Sequence, residues 1–129
     1  MPDRAQQPLS GVLFVVGLVF IFGGWPLMQW WPSSWQWQPA QPEYEQMILG
    51  VYATLGVFLV LAARNPMAHG SLILFTAWSS LVHAGIMAFH ALRDTAESGH
   101  LMGDVPALAL VGIFLLVLMF KSEDEPRTA

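Results

Sequence analysis

The chain has 129 residues, 55% of them apolar, and only 14 charged side chains, with a formal net charge of −4. That charged share of 11% compares with about 25% in ordinary soluble domains. These figures exclude a soluble enzyme and a disordered chain, and five scattered basic residues exclude a nucleic-acid partner. The absence of cysteine removes disulfides, thiol catalysis, Cys-ligated zinc, iron–sulfur clusters and covalently attached haem.

No Asp, Glu, Lys or Arg occurs in 5–42, 46–63, 65–92 or 105–120. A chain this short has too little interior to hide four such runs. Each approaches the roughly 20 apolar residues that cross a bilayer. The predicted fold is therefore all-α: an integral membrane antiparallel four-helix bundle, a single domain over 1–120 with a polar acidic tail over 121–129. A β-barrel is a poor alternative, because the runs are continuous and do not alternate.

The first span is expected over about 9–31. Its apolar run is longer than a signal core and no small-residue cleavage pattern follows, so it reads as a retained anchor. Pro26 and Pro32 are expected to end it, with Pro39 and Pro42 holding the following loop extended. Trp25, Trp30, Trp31, Trp35 and Trp37 crowd this end. An interfacial aromatic belt explains them, and an aromatic lid over a ligand is the functional alternative.

The second span is expected over about 47–63, with Gly50, Ala53 and Gly56 permitting close helix approach. Asn65-Pro66 breaks the chain before the third span, about 71–92. There Thr76, Ser80, His83, Met87 and His90 recur at helical spacing and form one stripe expected to face the interior. Its bland reading is helix–helix glue, and its sharp reading is a ligand-lining face. The fourth span is expected over about 105–120, with Asp104 as N-cap and Pro106 in the first turn. Short loops favour antiparallel neighbours.

Arg4, Arg64, Lys121 and Arg127 fall on one side of these spans and Arg93 on the other. The excess of positive charge places both termini in the cytoplasm of a multi-pass protein.

Spans two and three run oppositely, so residues whose numbers share a sum lie at similar depth. Glu45 then matches His90 at the outer end, and Tyr52 matches His83 about 10 Å deeper, a plausible hydrogen-bonded pair. Glu45, His90, His100 and Asp104 have the residue types of a nitrogen–oxygen metal site or a proton relay, although no H-E-x-x-H is present. The bland reading makes Glu43, Asp94 and Glu97 solvated loop charges and Asp104 only a helix cap. The ligand or cofactor candidates are Glu45, Tyr52, His83, His90, His100 and Asp104, with Thr76, Ser80 and Met87 on the polar stripe.

Tyr44-Glu45 through Gly56, Ala-Ala-Arg-Asn-Pro at 62–66, Trp78 through Gly85, and Gly103-Asp104-Val105-Pro106 carry a resemblance covering roughly 9–120. Together they resemble a family of small, uncharacterised bacterial four-helix membrane proteins, similar in layout to the DoxX-like group. The resemblance implies the bacterial inner membrane. Some members of the DoxX group are associated with quinone-linked sulfur oxidation or redox defence. No catalytic residue is carried over.

Three functions follow from the sequence. The first is an accessory or assembly subunit of a membrane complex, partnered by lipid and by other subunits or by itself. The second is a redox-associated protein binding quinone, haem or metal near the outer mouth. The third is a small transporter, which four unbroken helices serve poorly. No cofactor is required by the sequence, and a non-enzymatic role is favoured.

Overall fold

The structure is a computed structural model that describes residues 4–36 and 42–124. Trp37, Pro39, the side chain of Pro42 and the last five residues of the tail lie outside what it describes. All regular structure among the described residues is helical. Six α-helices follow in order: α1 (Gln7–Phe22), α2 (Gly24–Trp30), α3 (Pro32–Trp35), α4 (Pro42–Ala62), α5 (Gly70–Arg93) and α6 (Asp104–Asp124). Short 3-10 segments occupy Arg4–Gln6, Pro66–His69 and Thr95–Met102.

Three helical stretches are long and apolar enough to cross a membrane, or four if α1 and α2 form one bent span. The bend between α1 and α2 is 57°. Its cause is local. Pro26 has no N–H for the Phe22 carbonyl, and its ring crowds that turn. Pro26 therefore bends the helix rather than ending it, whereas Pro32 follows the end of α2 at Trp30 and also starts α3. Pro42 is likewise the first residue of α4 and not part of an extended loop. Asn65-Pro66 does break the chain between α4 and α5.

Small residues set how the helices meet. A Cβ at Gly17 would lie 2.7 Å from the Gly56 carbonyl oxygen, and one at Gly56 would lie 2.5 Å from that of Gly17. The two backbones touch because neither carries a side chain. One turn-pair away, the Ser10 hydroxyl donates to the Ala63 carbonyl. Both contacts join residues summing to 73, so α1 and α4 run in opposite directions. Gly112 of α6 sits against the Ala77 carbonyl and Leu81 of α5, and Gly70 faces Met119. These pairs sum to 189 or nearly so, which makes α5 and α6 opposed as well. α1 also packs on α6, joining the two pairs.

The tightest packing lies at one end. Leu9, Leu13, Leu59, Ile73, Leu115 and Met119 are buried there in one cluster. Burial of each such side chain contributes about 1.5–3 kcal/mol where it leaves water. The other end holds a smaller cluster of Ala84, Met87 and Leu108. There the bend carries α2 aside and leaves space between the helices. Large apolar side chains meanwhile face outward on every long helix, among them Phe14, Phe58, Phe75, Phe89 and Phe114.

A candidate ligand cavity beneath a buried acid–histidine cluster

The loosely packed end is closed by two connections that lie on each other. α3 packs against the 3-10 helix Thr95–Met102. Two glycines make this possible. A methyl group at Gly99 would run into the Ser33 carbonyl, and one at Gly103 would lie 2.5 Å from the Ser34 carbonyl oxygen. Asp94 starts the 3-10 helix, its Oδ1 accepting from the Ala96 N–H at 3.0 Å.

This turn of helix buries Glu97 and His100, and Asp104 begins α6 directly behind them. Relative exposures are 4%, 0% and 4%, so none of the three is a surface charge. His100 Nδ1 lies 2.7 Å from Asp104 Oδ2, and Nε2 lies 3.1 Å from Glu97 Oε2. Nε2 is also 3.1 Å from the Gln36 carbonyl oxygen. Oxygen atoms thus face both ring nitrogens and hold the imidazole from two sides. The reading of Glu97 as a solvated charge and of Asp104 as a cap alone is therefore corrected. Glu43 and Asp94 are exposed, as that reading has them.

Beneath this cluster is a cavity of about 190 Å³, lined mainly by apolar side chains of α1, α2, α4 and α6. Its polar wall comes from Trp35, Glu45, Tyr52, His83 and Asp104. Gln36 Nε2 donates to both Glu45 oxygens, at 3.3 and 3.1 Å. The Tyr52 hydroxyl and His83 Nδ1 are 2.6 Å apart, so the pair expected from chain direction is a hydrogen bond. The Phe20 and Tyr52 rings meet edge to face, their centroids 5.0 Å apart. Two buried polar atoms, Trp35 Nε1 and Asp104 Oδ1, make no hydrogen bond among the described residues. The N–H groups of Asp104 and Val105 lie beside the carboxyl without closing a bond to Oδ1.

An open groove of about 700 Å³ runs along α5, past Ser79, Val82, Ile86, His90 and Arg93. His83 and Met87 border both the groove and the cavity. The hydrogen bond from His83 to Tyr52 thus spans the gap between α5 and α4.

The stripe on α5 is consequently split. Thr76, Ser80 and Met87 are buried, His83 is half-buried and His90 is exposed. His90 does not face the interior. Its ring stands edge-on to Phe89 at 5.4 Å, and the Arg93 guanidinium lies over the same Phe89 ring. The buried hydroxyl of Thr76 bonds the Leu72 carbonyl of its own helix at 2.8 Å, so it is not glue between helices. Of the tryptophans, Trp25, Trp30 and Trp31 are exposed, whereas Trp35 turns its N–H inward.

Sequence reasoning missed Trp35, Gln36 and Glu97. Glu97-Ser98-Gly99-His100 is an E-x-x-H spacing, and Asp104 follows His100 by one helical turn. Read as helix, the segment would have shown all three on one face. Among the described residues no three His, Asp or Glu side chains are arranged to hold a metal ion.

No curated protein and no solved structure matches the chain. Residues 6–125 match the model of a family described as Family of unknown function (DUF6632), and the chain belongs to that family.

Proposed function

We propose that this chain is an integral membrane protein, an antiparallel four-helix bundle whose outer half binds a small lipophilic molecule. The observation that carries this reading is the cavity: a partly open, mainly apolar space onto which a few polar groups converge. Such spaces are the usual form of small-molecule sites, including sites between the helices of bundles. The outward apolar side chains of every long helix support the membrane part, since soluble monomers rarely expose apolar patches on that scale. α1 and α2 together form the first, bent span. The charge asymmetry places both termini in the cytoplasm and the His100 cluster outside. The bacterial inner membrane and the likeness to the DoxX-like group enter from the sequence motifs alone.

Size narrows the ligand. An engineered cavity of about 150 Å³ takes benzene, so about 190 Å³ suits one substituted ring and not a haem. The ring of a quinone fits this scale, which keeps a redox association open to the protein. Access runs from the bilayer along the groove on α5, with the Tyr52–His83 hydrogen bond between groove and cavity. No catalytic step is assigned. An accessory role in a larger complex is the second reading, favoured by Gly50 and Gly85, which open outward with no neighbour within 4 Å.

The test uses 4-fluorotoluene as probe and the full chain in lipid nanodiscs. Fluorine NMR is expected to show saturable binding. Ala107 lines the cavity, and Ala107→Leu, which fills that space, is expected to abolish binding while the nanodisc lipid stays the same. Identical spectra for the two proteins would contradict the reading.

A further inference from the structure

Resting on that reading, we propose that the cavity selects a ligand whose ring carries a hydroxyl group, a phenol-type molecule. Trp35 Nε1–H can only donate, and a carboxylate oxygen such as Asp104 Oδ1 can only accept. Both atoms are buried, both belong to residues lining the cavity, and neither has a hydrogen-bond partner among the described residues. Gly103 seats the indole at the start of α6: a Cβ there would lie 3.0 Å from Trp35 Nε1, and Asp104 is the next residue. One group that satisfies both must accept from the indole and donate to the carboxylate. A hydroxyl does this. A carbonyl or ether oxygen satisfies the indole alone, and a bare ring satisfies neither.

The rest of the site fixes this geometry. Asp104 Oδ2 is held by His100 Nδ1 at 2.7 Å, which turns Oδ1 away from the imidazole. The imidazole is anchored in turn by Glu97 and the Gln36 carbonyl. The first turn of α6 adds its positive dipole end beside the carboxylate. The ring of the ligand meets Phe20 and the apolar side chains of Leu108 and Val111. A single water bridging Trp35 and Asp104 is the competing occupant, and the experiment separates the two.

The probes are 4-fluorophenol and 4-fluorotoluene, titrated into the full chain in nanodiscs and read by fluorine NMR. They match in ring and para substitution and differ in the hydroxyl. Wild-type protein is expected to bind the phenol at least about tenfold more tightly, the usual gain from a hydrogen bond to a buried charged group. Trp35→Phe keeps a ring and removes the N–H. Asp104→Asn keeps the shape; its amide oxygen faces His100, so its NH2 replaces Oδ1 and turns an acceptor into a donor. Both variants are expected to bring the two probes to within about threefold of each other. Continued binding of 4-fluorotoluene reports that each variant retains the cavity. Equal affinities in wild-type protein would overturn the hydroxyl assignment and leave water on the polar wall. Binding of neither probe by wild-type protein would overturn the cavity reading with it.

Discussion

Replacing His100 by Leu is expected to destabilise the protein by about 3–5 kcal/mol, the range for taking the partner away from buried ionisable groups. The imidazole is fully buried between two carboxylates at 2.7 and 3.1 Å. Without it, Glu97 and Asp104 lose the group between them, each being only 4% exposed. The loss should appear as a fall in the midpoint of thermal unfolding of about 10–20 °C, read by tryptophan fluorescence in detergent. Adding Glu97→Gln and Asp104→Asn to His100→Leu removes the charges together and is expected to recover most of that stability. A shift of 1 or 2 °C for His100→Leu alone would mean that the cluster is solvated, against the burial described above.

Gly56→Val is expected to cost about 3 kcal/mol, the upper part of the usual range for overpacking. A Cβ at this position lies 2.5 Å from the Gly17 carbonyl oxygen and 2.8 Å from the Ile21 side chain. The first of these is backbone, so a change of rotamer does not relieve it. α1 and α4 must separate instead, and the buried contact of Leu9 and Leu13 with Leu59 loosens with them. Gly50→Val is the control. It lies on the same helix, with the same change of propensity, but nothing stands within 4 Å of its Cβ. Thermal unfolding of the two variants should differ by about 10 °C. Equal midpoints would mean that Gly17 and Gly56 do not touch.

The long helices were legible because charge is expelled from them, a constraint that acts on whole segments. The Tyr52–His83 pair was legible for a related reason: opposed helices fix depth, and depth fixes partners. The fate of His90 was not. At about 100° per residue, Ser79 and His90 fall roughly 60° and 40° to one side of Thr76, while Ile73, Ala84 and Ala91 fall 60–80° to the other. The small and apolar residues win the packed face against α6, and His90 is left in the groove. The acid–histidine cluster was hidden by length. The twelve residues 93–104, rich in polar types and lying between two spans, read as a solvated loop, yet two glycines allow that segment to lie flush beneath α3. The bend at Pro26 was misjudged because a proline signals a break in a helix but not whether the chain continues beyond it.

A bundle embedded in lipid, with the His100 cluster capping its outer end, would leave three positions differently accessible. The chain contains no cysteine, so single introduced cysteines report position directly. Ser98, Ala68 and Phe114 are all exposed in the structure. In intact cells expressing each variant, a membrane-impermeant maleimide is expected to label Ser98→Cys alone. After permeabilisation it should also reach Ala68→Cys. Phe114→Cys should stay unlabelled until detergent strips the lipid. Labelling of Phe114→Cys in intact membranes would contradict the embedded bundle. Labelling of Ala68→Cys in place of Ser98→Cys in intact cells would put the cluster on the cytoplasmic side.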